Sequence, residues 1–162
     1  MNVTEAVTSR RSIRQFLDKP VDKSILERVL ETAQRAPSGG NTQPWSAVVV
    51  GGDALKDITA KIKAKAATAP MGEDMEYAIY PEDLDGRYEE QRRAVGKGMF
   101  DAVGLERGDA AGRVAQMAKN WDSFGAPVQL FTYTKKYMGP PQWSDMGMWL
   151  QTVMLLLREE GL

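Results

Sequence analysis

The chain has 162 residues, enough for one domain with a core of its own, and 43% are apolar, a globular rather than a disordered composition. Twenty-one basic against 22 acidic side chains leave a net charge of −1, which lacks the basic surplus that non-specific nucleic-acid binding needs. With no cysteine and no histidine there is no disulfide, no thiolate metal site and no imidazole base, so chemistry here falls to a bound cofactor.

The N-terminal "MNVTEAVTSRRS" has no apolar core of a secretory signal, and no apolar run reaches membrane-spanning length. The expectation is a cytoplasmic protein with no membrane and no nucleic-acid partner. Residues 3–8 read as a short helix and "RRSIRQF" as extended. Residues 22–36 form a helix with Asp22 as N-cap, a Val21–Leu26 staple and an apolar face at 25, 26, 29, 30, 33 and 36; Pro37 stops it. "SAVVV" reads as a buried strand, and Asp53 opens a helix to about residue 67. Residues 68–85 have no period and form a long excursion, and two helices follow at 86–103 and 109–121. "PVQLFTYT" is a second strand and "KKYMGPPQW" a loop. The last helix, 145–160, is apolar nearly all round, with Gly161 and Leu162 as its C-terminal cap. Two strands make a marginal sheet, so other copies of the chain or a further segment are expected to complete it.

Two stretches carry chemistry. In an extended "RRSIR", Arg10, Ser12 and Arg14 point to one side and span roughly 13 Å at about 3.3 Å per residue. Such a row grips a phosphate at one end and sets a cation beside a ring at the other; it also reads as a solvated basic run. "APSGGNTQPW", 36–45, is longer than a helix-to-strand turn requires. Its glycines let backbone approach a flat ligand, and Ser38 and Asn41 match the donor and acceptor edge of a pyrimidine-like ring. It reads equally as a connection punctuated by Pro and Gly.

Taken together, "RRSIRQF", a helix, "APSGGNTQPW" and an apolar strand resemble the FMN-dependent nitroreductase family. The likeness extends more loosely through "FGAPVQLF" and "GMWLQTVMLLLREEGL". It implies an α+β fold, a nitroreductase-like three-layer α/β/α sandwich with a mixed central sheet completed in a homodimer. Residues 1–162 are then one domain, with 68–124 as lid helices. It implies that Arg10, Ser12 and Arg14, with Arg11 adjacent, hold the ribityl phosphate and pyrimidine edge of FMN. Arg14 faces the edge that becomes negative on reduction. Pro37, Ser38, Gly39 and Asn41 pack on the ring, typically from the partner subunit.

The resemblance further implies a ping-pong hydride relay, from NAD(P)H through FMN to a small aromatic acceptor such as a nitroaromatic or quinone, with no protein nucleophile. Tyr77, Tyr88, Arg92, Trp121 and Phe124 are the candidate substrate residues, with Phe100 beside them; each ring also reads as plain core packing. Glu89, Glu90, Arg92 and Arg93 read as a solvated helical face. Family members continue for some tens of residues past the last helix, with a donor to the flavin, further phosphate contacts and a crossing strand. The chain is therefore expected to be C-terminally short relative to the family. The alternatives are a flavin-dependent dehalogenase or flavin-modifying enzyme, and a non-catalytic flavin-binding module.

Overall fold

The computed structural model describes residues 1–70, 72–73, 77–106 and 108–162. In chain order the elements are α1 (Val3–Ser9), α2 (Lys23–Ala33), β1 (Ser46–Gly51), α3 (Gly52–Ala66), α4 (Gly86–Ala102), α5 (Ala110–Ala118), β2 (Val128–Tyr133) and α6 (Pro140–Glu159). Short 3₁₀ stretches occupy Gly39–Asn41 and Lys119–Gly125. The chain divides into two compact units, one of Met1–Lys56 with Gly125–Leu162 and the other Asp57–Phe124. Residues 71 and 74–76 of the expected excursion, and residue 107 of the "GLERGD" connection, lie outside the described residues.

The first unit is built on α6. Trp149, 1% exposed, is its most buried large side chain, and complete burial of such an apolar body stabilises by about 3 kcal/mol. Around it gather Val29, Ala33, Ala36, Trp45 and Val153, with Ile25, Leu30, Leu130, Leu150 and Leu157 against them. The helical face read on 25, 29, 30, 33 and 36 is thus the face that meets the core. Asp22 caps α2 by accepting the Ser24 N–H at 2.8 Å, a bond that also lowers its carboxyl pKa. Gly161, at φ 82°, and Leu162 close α6 in a Schellman motif: Leu162 N–H reaches Leu157 O at 3.0 Å and Gly161 N–H reaches Arg158 O at 3.2 Å.

Three boundaries differ from the sequence reading. α2 ends at Ala33, because Gln34, Arg35 and Ala36 each donate three residues back and tighten the chain ahead of Pro37. α6 begins at Pro140 rather than 145, since a first turn needs no N–H from its opening prolines. Its N-terminus is tied by Gly139 N–H donating to Gln142 Oε1 at 3.2 Å. β1, expected to be buried, leaves Val48 49% and Val49 41% exposed. β1 and β2 pair antiparallel from Ser46↔Tyr133 to Gly51↔Val128 as a two-stranded sheet, so no third strand covers β1 among the described residues. A mixed sheet requires strands beyond this pair.

The second unit is stabilised differently. Every fully buried apolar side chain among the described residues belongs to the first unit; here only Gln116 is buried. Ion pairs join Lys63 to Asp122 at 2.8 Å and Lys65 to Glu73 at 2.7 Å. Asp109 caps α5 by accepting the Gly112 N–H at 2.8 Å. Among the described residues no helix is long and apolar enough to cross a membrane.

Candidate functional site

The arginine row follows α1 directly. A capping box of Asn2 and Glu5, each bonding the other's N–H at 2.9 Å, starts that helix, and Arg10 ends it in extended backbone at φ −58° and ψ 135°. Residues 11–20 are exposed and form no ladder. Arg11 Nη1 donates to Thr8 O at 2.8 Å and Arg14 Nη1 to Ser12 O at 3.2 Å, so both guanidinium groups bond only neighbouring carbonyls. Among the described residues no carboxylate pairs with Arg10, Arg11 or Arg14. Three cations within five residues, with donors to spare, fit a phosphate.

The 36–45 loop is organised quite differently. Ser38 Oγ accepts the Gln43 N–H at 3.0 Å, and Gly39 N–H donates to the buried Asp145 carboxylate at 3.2 Å. Gly40, Asn41 and Gln43 stand at φ 58°, 56° and 46°, the left-handed region that costs any residue with a Cβ. Trp45 closes the loop: its Nε1 donates to Gln34 Oε1 at 2.7 Å and its ring stacks on Trp149, centroids 6.1 Å apart and planes 13° from parallel. The Asn41 carboxamide is exposed, and among the described residues nothing bonds it. The loop therefore offers polar edge groups and bare backbone from a fixed frame, which suits the face of a planar ring.

Both segments attach to α6, at opposite ends. Ser9, beside Arg10, accepts from Arg158 Nε at 3.0 Å, whereas Gly39 binds Asp145. Thirteen residues of helix separate those anchors, about 20 Å at about 1.5 Å per residue. Sequence reasoning missed Asp145, because it read α6 as apolar nearly all round and gave its first residue no role. The available signal was a lone acid inside "DMGMWLQTVMLLL".

Of the substrate candidates, Tyr77 is exposed and Tyr88 lies 4.8 Å beneath the Arg87 guanidinium. Trp121 and Phe124 are half-buried in the 3₁₀ stretch, where Ser123 and Phe124 take φ 52° and 57°. Arg92 is committed: it grips Glu89 through Nε at 2.6 Å and Nη2 at 2.8 Å, and Arg93 binds the same carboxylate. Those two guanidinium groups pull the Glu89 pKa from 4.5 down to about 2, the hydrogen bond from Arg92 first. Arg92 also sits 5.5 Å over the Tyr80 ring, and with Tyr80, Pro81, Glu82, Leu84 and Glu89 it lines a cavity of about 290 Å³. Tyr80 was not singled out in the sequence. Phe100 carries the Arg113 guanidinium 4.4 Å above its ring.

Comparison with known proteins points to one family. The family model described as "Nitroreductase family" matches residues 7–162. The chain is 34% identical over 156 residues to the 4-nitrobenzoate reductase of Pseudomonas putida, covering 96% of this chain and 67% of that protein. It is 32% identical over 164 residues to the nitrobenzene nitroreductase of Ectopseudomonas oleovorans, covering 99% and 70%. Among solved structures, the FMN and NADPH-dependent nitroreductase NfnB from sphigopyxis sp. strain HMH superposes with a TM-score of 0.95 at 48% identity, over 99% of this chain and 72% of that one.

Proposed function

The chain belongs to the nitroreductase family, and from that premise we propose that it is an FMN-dependent, NADPH-driven reductase of nitroaromatic acceptors, acting as a cytoplasmic homodimer. One observation carries the cofactor assignment: the Arg10–Arg14 row holds three guanidinium groups without a carboxylate partner among the described residues. A basic cluster with free guanidinium donors, together with a glycine-opened loop, is the donor set that a phosphorylated flavin needs.

FMN held there would supply two-electron hydride chemistry between NADPH and a nitro group. The chain's own residues bind and orient it. Arg10, Arg11 and Ser12 hold the phosphate with charge-assisted bonds. Arg14 sets a positive charge at the pyrimidine edge, where it favours the reduced, anionic ring. Pro37, Ser38, Gly39 and Asn41 form the wall on the ring face. We assign the row of each site to one copy and its wall to the other, an arrangement in keeping with their anchors at opposite ends of α6. Tyr77, Tyr88, Trp121 and Phe124, and Arg92 once released from Glu89, remain the candidate substrate residues.

The test is spectroscopic. Purified protein incubated with FMN and desalted retains a flavin band, NADPH bleaches it under anaerobic conditions, and nitrobenzene or 4-nitrobenzoate restores it. A protein that stays colourless, or a bound flavin that NADPH leaves oxidised, contradicts the proposal.

A further inference from the structure

Asp145 stands in the second turn of α6, 6% exposed, and Gly39 N–H is the donor it meets, at 3.2 Å. No lysine or arginine pairs with it among the described residues. A carboxylate buried without a cation is costly unless its bonding returns something. The helix dipole does not account for it, since that influence fades within the first turn. One turn further along the same face, about 6 Å away, Trp149 stacks on Trp45. The 39–45 loop is thus pinned at both ends by successive turns of one helix. Its interior is held at positive φ at Gly40, Asn41 and Gln43, values that a loose chain abandons.

We infer that Asp145 is a positioning residue for the flavin wall: by holding Gly39 it presets the Pro37–Asn41 backbone before the cofactor arrives. A preset loop spares the ordering cost at binding, so the anchor shows in cofactor affinity and not in fold stability alone. This rests on the reading that the loop faces FMN, and wild-type FMN binding tests that reading separately.

Three variants of the full protein decide it, each measured by FMN fluorescence titration, by amide exchange across residues 38–43 without FMN, and by urea unfolding. Asp145→Ala loses the acceptor; exchange in the loop accelerates and FMN affinity falls, each by about tenfold. Asp145→Asn keeps an oxygen for Gly39 and stays within about threefold of wild type on both readings. Asp145→Leu, similar in shape and apolar, keeps the core packed, so it folds even where alanine does not, and it reproduces the alanine losses. Variants that lower the urea midpoint alone, with exchange and FMN affinity unchanged, overturn the inference. So does an asparagine variant as impaired as the alanine one.

Discussion

The 10–18 segment and the 36–45 loop belong to the same proposed site, yet they are built on opposite principles. The loop is anchored within the chain itself: Asp145 holds one end, the Trp45–Trp149 stack holds the other, and Ser38 bridges to Gln43. The arginine segment is exposed from Arg11 onward, and its guanidinium groups bond only nearby backbone carbonyls. The contrast follows from what each must recognise. A planar ring rewards a preset surface, since any loop ordering at binding is subtracted from affinity. A phosphate is reached by long cationic arms from several directions, and arms left without an internal acid keep their charge for it.

If that contrast is real, changes in the loop's frame cost stability, while changes in the arginine row cost only ligand. Trp149→Ala breaks the frame hardest: removing a fully buried indole lowers unfolding free energy by about 3–5 kcal/mol, read as a fall in the urea midpoint. A loss under about 1 kcal/mol means the stack does not hold the loop. Arg14→Ala does the reverse. Its side chain is exposed, so the FMN-free protein unfolds within about 0.5 kcal/mol of wild type, while FMN affinity falls about tenfold. Equal damage to both quantities would erase the distinction. Gly40→Ala lies between, costing about 1–2 kcal/mol because alanine pays for φ 58° although nothing closer than 3.9 Å opposes its methyl group.

The smallest effect concerns the second unit, which substitutes ion pairs for buried apolar side chains. Glu89 has its pKa depressed to about 2, so its contribution is full above about pH 4.5 and disappears as pH falls toward 2. Acid titration of helical circular dichroism should therefore show a step in that window that Glu89→Gln lacks. A titration identical in the two proteins would mean that the Arg92 and Arg93 contacts are not maintained in solution.

Much of this was legible because local chemistry decided it. Asp22 as cap, Gly161 as terminator and the apolar face of α2 follow from short-range rules that packing does not reverse. The arginine row and the glycine loop were also visible as motifs, since their residue types are unusual together. What escaped depended on partners distant in sequence. Asp145 lies 106 residues from Gly39, and nothing near it announces a backbone donor. The exposure of Val48 and Val49 depends on which strands surround β1, and an apolar run looks the same covered or bare. The start of α6 was misplaced because two prolines signal a break in mid-helix and a beginning at its first turn.

The central claim is that row and wall, held at opposite ends of α6, meet only between two copies of the chain. Mixed dimers test it most directly: one copy carries Arg10→Ala with Arg14→Ala, the other Asp145→Leu, and FMN bound per dimer is measured at a concentration that saturates only wild-type sites. Each mixed dimer then contains one intact site and one doubly impaired site, and the account predicts one site of wild-type affinity per mixed dimer although every site of either homodimer is weakened. No recovery in mixed dimers would place row and wall of one site in the same chain and contradict it.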